Sequence, residues 1–212
     1  MGYACPVDAE PYEQLSYLDE EAFVEHCGEV YEPAEDTWLL LGEVKRLLGE
    51  LRPRVCIDVG TGTGVLAAAC RGTGLVVATD ISPCAASCAR SNLYRLEPVE
   101  AVVAQCDLAS CLRCPRKGPV LVVFNTPYLV PEEGEEGLLG LAWSGGLEPA
   151  ARLLEGVADC LRSRGGCVVL ATLRDWAESL LGRAAERGLE AAAVASARYF
   201  FEEIVVVEAC SR

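Results

Sequence analysis

The sequence predicts an α/β fold in which a mostly parallel β-sheet carries helices on both of its faces. Short, continuously apolar runs alternate with helical patterns along most of the chain, which is the arrangement that successive βαβ units produce. Four of these runs lead into an acidic or amide side chain, as strands around a ligand site in an open parallel sheet do. The last two β-like runs, Ala191–Ala195 and Phe201–Glu208, are joined by too short a connection for a crossover helix, so they should form an antiparallel hairpin.

The chain of 212 residues has the length of one α/β domain, which we place at residues 31–212 behind an N-terminal extension over residues 1–30. The N-terminus lacks a basic segment followed by an apolar stretch, so no signal peptide is expected. No apolar run approaches the roughly 18 residues that span a bilayer. Six of the 12 cysteines lie inside apolar segments, where free cysteine behaves as a small hydrophobic residue. We therefore expect reduced thiols and a protein of the cytoplasm, or of cytoplasm and nucleus.

The chain is acidic, with a formal net charge of −14 and only two lysines. A protein that binds duplex nucleic acid normally neutralises phosphates with clustered basic side chains, so this composition argues against a nucleic-acid substrate. It favours a neutral or basic protein partner, unless the charge serves solubility alone. Zinc is a weak alternative, because Cys111 and Cys114 have metal-ligand spacing but the other close pair, Cys84 and Cys88, falls on a predicted helix. No metal site is expected.

The first predicted elements combine a polar helix start with a glycine-rich turn. A helix of about four turns begins within Tyr31–Thr37, where Pro33 opens it and acidic residues occupy its first turn. Its polar start suits contact with a ligand, although the helix can equally serve only to cover the sheet. Val55–Val59 is the first buried strand, and the glycine turn Gly60–Gly64 leads from it into a helix over Val65–Arg71.

The later elements repeat the alternation of strand and helix. The strand Leu75–Asp80 ends in an acid, and Ser82 then caps a helix that extends to about Tyr94. The strand Glu100–Cys106 follows, with Asp107 and Leu108 at its carboxyl end. The remaining elements are the strand Val120–Phe124, a polar loop over Val130–Gly140, the helix Glu148–Arg162, the strand Cys167–Thr172 and the helix Arg174–Arg187.

The strand Val120–Phe124 leads directly into a polar elbow, Asn125-Thr126-Pro127-Tyr128. The Asn125 side chain offers one acceptor oxygen and two N–H donors, a set that pairs with a planar amide or amino-heteroaryl group. Thr126 is held extended by Pro127, whose carbonyl oxygen adds a second acceptor. Tyr128 can lie flat over the planar group. The same four residues also suit an ordinary turn.

The polar strand ends should lie together. Asp58, Asp80, Asp107 and Asn125 end four successive strand patterns, and the carboxyl ends of parallel strands meet at one edge of a sheet. With the glycine turn, these ends predict a ligand cavity at that edge.

Three motifs together resemble the HemK-related protein-glutamine methyltransferases of the eukaryotic and archaeal branch, over roughly residues 30–208. They are Tyr31–Thr37 (YEPAEDT), Asn125–Tyr128 (NTPY) and Ala142–Gly146 (AWSGG). The resemblance implies a Rossmann-like class I methyltransferase fold, with a seven-stranded, mostly parallel sheet, its last strand antiparallel, and helices on both faces. It also implies methyl transfer from S-adenosylmethionine to the side-chain amide nitrogen of the glutamine in the GGQ motif of a class I release factor, a protein of translation termination.

The resemblance and the strand-end positions together assign a cofactor site and a catalytic site. The cofactor residues are Gly60, Gly62 and Gly64 under the methionine part, Asp80 at the ribose, Asp107 and Leu108 around the adenine, and Asp58 and Thr37 at the amino acid end. Asn125 is assigned to the cofactor as well. In the catalytic site, the Asn125 oxygen and the Pro127 carbonyl each accept one N–H of the substrate amide, and Tyr128 packs on its plane. Thr126 stands where the family signature has a proline, but a residue before proline still favours the extended state.

The resemblance further implies a heterodimer with a small zinc-binding activator subunit. In this fold the strand Glu100–Cys106 lies at a sheet edge, and its apolar Val102 and Val103 suit docking by strand addition. The alternatives are an adenine-N6 nucleic-acid methyltransferase that stacks a flipped base on Tyr128, a protein-lysine or small-molecule methyltransferase, and a binding partner without catalysis.

Overall fold

The computed structural model describes residues 12–19, 22–26, 30–96, 100–129, 144–199 and 202–211, and the predicted polar loop over 130–140 lies outside them. The strands are β1 (Tyr12–Asp19), β2 (Ala22–His26), β3 (Val55–Val59), β4 (Leu75–Asp80), β5 (Ala101–Gln105), β6 (Val120–Asn125), β7 (Gly166–Leu173), β8 (Glu190–Tyr199) and β9 (Glu202–Cys210). The helices are α1 (Glu35–Leu51), α2 (Val65–Ala69), α3 (Pro83–Arg95), α4 (Glu148–Arg164) and α5 (Arg174–Glu186). None of these helices has the length and apolar character needed to cross a membrane.

Seven strands form one sheet in the order β5-β4-β3-β6-β7-β9-β8. The strands from β5 to β7 pair in parallel, whereas β9 is antiparallel to both of its neighbours, β7 and β8. The predicted seven-stranded, mostly parallel sheet with an antiparallel last strand is therefore confirmed. The strand predicted over Glu100–Cys106 is β5, and it does lie at the edge of the sheet.

Apolar side chains pack against both faces of this sheet. One cluster joins the sheet to α4 and α5 through residues such as Leu154 and Leu180, and the other joins it to α1 and α2 through residues such as Leu40 and Leu66. All five residues of β3 are buried, which explains why the central strands read as continuous apolar runs rather than as alternating ones. The core therefore holds the carboxyl ends of the central strands in fixed positions.

Some element boundaries differ from the prediction. Pro33 does not open α1, because Ala34 is extended and its carbonyl accepts the first helical hydrogen bond, from the Trp38 N–H at 3.1 Å. The helix after the glycine turn ends at Ala69, before the predicted Arg71. β8 is longer than the predicted run, because it pairs with β9 from Glu190 to Tyr199.

The N-terminal extension contains a hairpin that the sequence analysis did not predict. β1 and β2 pair antiparallel as a separate two-stranded sheet. This hairpin lies against α2 and α3, on the side of the domain that carries the glycine turn.

The cysteines differ from the expectation of reduced thiols. The structure pairs Cys56 with Cys70, Cys106 with Cys111, Cys114 with Cys160, and Cys167 with Cys210, and it gives Cys84 and Cys88 as disulfide-bonded too. The fold brings the Cα atoms of each of the four pairs within 6.2 Å, although the paired residues are up to 46 positions apart in sequence. Sequence spacing alone does not reveal such proximity. The CxxC cysteines thus belong to two different disulfides rather than to one zinc site.

Candidate active site

A cavity of about 360 Å³ opens where β3, β4, β5 and β6 end, and its volume is typical of a small-molecule site. Seven of the predicted site residues line it, namely Gly60, Asp80, Asp107, Leu108, Asn125, Pro127 and Tyr128. The other four do not line it. Thr37 and Gly62 are hydrogen-bonded to the lining residues Asn125 and Asp80. Asp58 is hydrogen-bonded to Thr61 of the glycine turn, and Gly64 is the last residue before α2. The structure therefore brings the strand ends together at one edge, as the sequence predicts.

Asp58 holds the glycine turn in place through hydrogen bonds to the turn and to α2. One of its oxygens, Oδ2, accepts hydrogen bonds from the Thr61 hydroxyl at 2.7 Å and from the Ala67 N–H at 2.9 Å. Its other oxygen, Oδ1, is buried without a hydrogen-bond partner in the described part of the chain. Burial, with a smaller contribution from the nearby charge of Asp80, raises the pKa of Asp58 to about 7, although the two hydrogen bonds oppose the effect. Gly60 has a φ of +62°, and a Cβ there would lie 2.9 Å from the Phe124 ring, so this turn requires glycine.

Asp80 presents a fixed carboxylate at the cavity wall. Its Oδ2 accepts from the Gly62 N–H at 3.0 Å and its Oδ1 accepts from the Ser82 N–H at 2.9 Å. Burial raises the pKa of Asp80, although these backbone hydrogen bonds oppose the effect. A carboxylate has about four acceptor sites, so both oxygens can still accept hydroxyl groups from a ligand.

Asp36, in the first turn of α1, organises the other end of the cavity. This buried carboxylate accepts hydrogen bonds from the Asn125 side-chain N–H at 3.0 Å, from the Tyr31 hydroxyl at 3.1 Å and from the Tyr128 hydroxyl at 3.2 Å. Burial and the charge of Asp36 raise the pKa of both tyrosines, so the phenols keep the protons that they donate. The sequence analysis placed Asp36 within a motif but assigned it no role.

The Asn125 amide is consequently held in one orientation. Its nitrogen donates to Asp36 Oδ2 and, at 3.1 Å, to the Thr37 hydroxyl. Its oxygen, Oδ1, is buried at the wall of the cavity and has no hydrogen-bond partner among the residues that the structure describes. An unpaired buried acceptor costs free energy, so this atom is suited to an N–H donor brought by a ligand. Thr37 thus acts on Asn125 rather than lining the cavity.

Thr126 ties the polar elbow to the neighbouring strand. Its hydroxyl donates to the Ala171 carbonyl of β7 at 2.7 Å, and its backbone N–H donates to the same oxygen at 3.3 Å. A proline at this position has neither donor. Thr126 therefore fixes the elbow by hydrogen bonds where the resembled family has a second proline.

Comparisons with known proteins find relatives of this chain among methyltransferases. The sequence model of the family described as Ribosomal protein L11 methyltransferase (PrmA) matches residues 37–118. Mouse Methyltransferase HEMK2 is 42% identical over 130 residues, which are 56% of this chain and 58% of the mouse protein. Human Methyltransferase HEMK2 is 36% identical over 179 residues, which are 77% of this chain and 81% of the human protein.

The chain belongs to the HEMK2 family of methyltransferases. A Methanocaldococcus jannaschii relative, named as a protein N5-glutamine methyltransferase, is 29% identical over 188 residues, which are 85% of this chain and 91% of that protein.

Two solved structures share the fold of this HEMK2-family chain. One is an E. cuniculi Mtq2–Trm112 complex, titled as responsible for methylation of the eRF1 translation termination factor, with a TM-score of 0.62 and 24% identity over 87% of this chain and 99% of that one. The other is the T. thermophilus 16S rRNA methyltransferase RsmC, solved with AdoMet and guanosine, with a TM-score of 0.68 and 20% identity over 98% of this chain and 52% of that one. At 24% and 20% identity these structures support the fold of the chain, and AdoMet is the ligand of RsmC.

Proposed function

We propose that this chain transfers the methyl group of S-adenosylmethionine to the side-chain amide nitrogen of the glutamine in the GGQ motif of a class I release factor. The single observation that carries the proposal is the Asn125 amide. Its nitrogen donates hydrogen bonds to Asp36 and Thr37, while its oxygen is buried and unpaired among the described residues. A primary amide of a substrate offers the N–H donor that this oxygen lacks. The names given to the M. jannaschii relative and to the E. cuniculi complex support glutamine and a termination factor as substrates.

The cavity fits the proposed cofactor. Both oxygens of Asp80 retain acceptor sites for the two ribose hydroxyls, and Asp107 and Leu108 are available to the adenine. When bound, the cofactor supplies a methyl group on a positively charged sulfur. Asp36 and Asp80 line the same cavity and attract that positive charge. The product would be S-adenosylhomocysteine.

The residues of the elbow compensate for the low nucleophilicity of an amide nitrogen. We assign the Asn125 oxygen and the Pro127 carbonyl to accept one substrate N–H each, which orients the nitrogen and concentrates electron density on it. Tyr128 packs on the amide plane, and its hydroxyl bond to Asp36 fixes its ring. As the nitrogen–carbon bond forms, the carbon–sulfur bond breaks, and the N–H that has become acidic then releases its proton to solvent.

The exposed edge of the sheet supports an activator subunit as partner. Val102 of β5 is 52% exposed, and Ile81 and Tyr94 nearby along the chain are exposed as well. We propose that the small zinc-binding subunit adds a strand to β5 and covers these side chains. Val102→Lys should then prevent copurification of the subunit, whereas Val194→Lys, at an exposed valine of the opposite edge strand, should not. Equal copurification of both variants would contradict this assignment.

The test of the function is methyl transfer from labelled S-adenosylmethionine to a purified class I release factor. Wild-type release factor and a variant with alanine in place of the GGQ glutamine should be compared, each with and without the activator subunit. Label on the wild-type factor alone is the expected result, and dependence on the subunit would support the heterodimer. Label on both factors would mean another target residue. Label on neither, with the cofactor bound, would favour a nucleic-acid or lysine substrate instead.

A further inference from the structure

The rim of the cavity carries an ion pair that neither the sequence analysis nor the comparisons single out. Asp107, directly after β5, and Arg152, on α4, both line the cavity. Arg152 Nη2 donates to Asp107 Oδ2 at 2.7 Å, and both side chains are about half exposed, 50% for Arg152 and 47% for Asp107. An exposed ion pair of this kind adds little to folding stability. Its location at the cavity therefore points to a role in ligand binding rather than in folding stability.

The backbone around Asp107 is held firmly, whereas its side chain has one anchor. The disulfide between Cys106 and Cys111 closes the short loop that carries Asp107, and the Cys106 N–H donates to the Asp80 carbonyl at 2.7 Å. Among the hydrogen bonds of the described residues, the one from Arg152 alone fixes the Asp107 carboxylate. That bond uses Oδ2 and leaves Oδ1 able to accept from a ligand.

We propose that Arg152 is a positioning residue for cofactor recognition, which holds Asp107 so that its free oxygen accepts the exocyclic amino group of the adenine. A carboxylate only accepts hydrogen bonds, so it pairs with the 6-amino group of adenine and disfavours the 6-oxo group of hypoxanthine. This inference rests on the proposed cofactor. It adds that the preference of the site for a purine with a 6-amino group depends on α4, a helix that is distant in sequence from the strands that form the cavity.

The test measures binding by calorimetry, with S-adenosylhomocysteine and S-inosylhomocysteine as the two probes. The variant is Arg152→Gln, and the matched control is Arg162→Gln, which breaks the exposed pair with Asp159 on the same helix away from the cavity. In Arg152→Gln we expect the affinity for S-adenosylhomocysteine to fall about five- to tenfold, since a charge-assisted contact loses its orientation. The affinity for S-inosylhomocysteine should change by less than about twofold. Arg162→Gln should leave both affinities and the preference between them unchanged.

The preference for S-adenosylhomocysteine over S-inosylhomocysteine distinguishes a positioning role of Arg152 from a general effect on the structure. Equal losses for both probes would overturn the inference, because misfolding or a distorted cavity weakens them alike. Wild-type affinity in Arg152→Gln would overturn it as well. Adding Arg152→Gln to Asp107→Asn should cause no further loss, because the carboxylate on which Arg152 acts is already gone. If the wild-type protein binds neither probe, the proposed cofactor itself fails, and this result differs from both of the others.

Discussion

The proposed role of Asn125 depends on Asp36, and Asp36→Asn tests that dependence. The carboxylate accepts from Asn125, Tyr31 and Tyr128 through Oδ2, and from the backbone N–H of Thr37 through Oδ1 at 2.6 Å. An asparagine at position 36 has one oxygen and one amino group. Its amino group must therefore face hydrogen-bond donors either on the side of Asn125 or on the side of the Thr37 N–H. If the amino group faces Asn125, the Asn125 amide loses the contact that selects its orientation.

The size of the effect follows from that one contact. A hydrogen bond to a charged group contributes about 1.5–3 kcal/mol, which corresponds to a factor of about 10 to 150 in the population of the correctly oriented amide. We therefore expect kcat for methyl transfer to the release factor to fall by about one to two orders of magnitude in Asp36→Asn. The affinity for S-adenosylhomocysteine should change little, because the residues assigned to the ribose and the adenine are untouched.

Single-turnover methyl transfer, measured well below the thermal midpoint of each variant, separates this loss from unfolding. The control is Glu35→Gln, which removes the same charge one residue earlier in the first turn of α1, at a residue that does not line the cavity. It should retain near-normal turnover. A folded Asp36→Asn protein with kcat within about twofold of wild type would refute the reasoning, since Asn125 would then need no anchor.

Two further predictions concern Thr126 and Asp58. Thr126→Val keeps the shape of the side chain but removes the 2.7 Å hydrogen bond from its hydroxyl to the Ala171 carbonyl. The free energy of unfolding in denaturant should therefore fall by about 1 kcal/mol. An unchanged value would mean that the backbone N–H of Thr126 alone holds the elbow. Asp58 has a pKa of about 7 in the fold and a usual value of 3.8, so its protonated form is favoured on folding and its contribution is fully present below pH 3.8. As the pH rises through 7, up to about 4 kcal/mol of stability is lost from the ligand-free protein. Asp58→Asn should flatten the pH dependence of thermal unfolding, and parallel curves for the two proteins would contradict this pKa.

The positions of the sheet strands along the chain could be predicted because burial on both faces leaves a local signal. Buried, mostly apolar runs mark β3 and β6, and Asn125 at the end of β6 marks the cavity edge. The hairpin of β1 and β2 has an acidic sequence without such runs, so it was missed. The disulfides and the contact between Asp36 and Asn125 join residues distant in the chain, 89 positions apart in the latter case. Only the folded arrangement reveals such contacts.

The hydrogen bonds of Asp36 also decide what kind of chemistry this site performs. A general base needs a free acceptor within reach of the proton that it takes. Asp36 already accepts hydrogen bonds from Asn125, Tyr31 and Tyr128, so its carboxylate is engaged by these donors and is not free to take a proton from the substrate. Within such a chain of hydrogen bonds, donation from the Asn125 nitrogen to a carboxylate makes the Asn125 oxygen a stronger acceptor. In the proposed mechanism the negative charge therefore acts through Asn125 on the substrate amide, and methyl transfer depends on orientation and polarisation without a base.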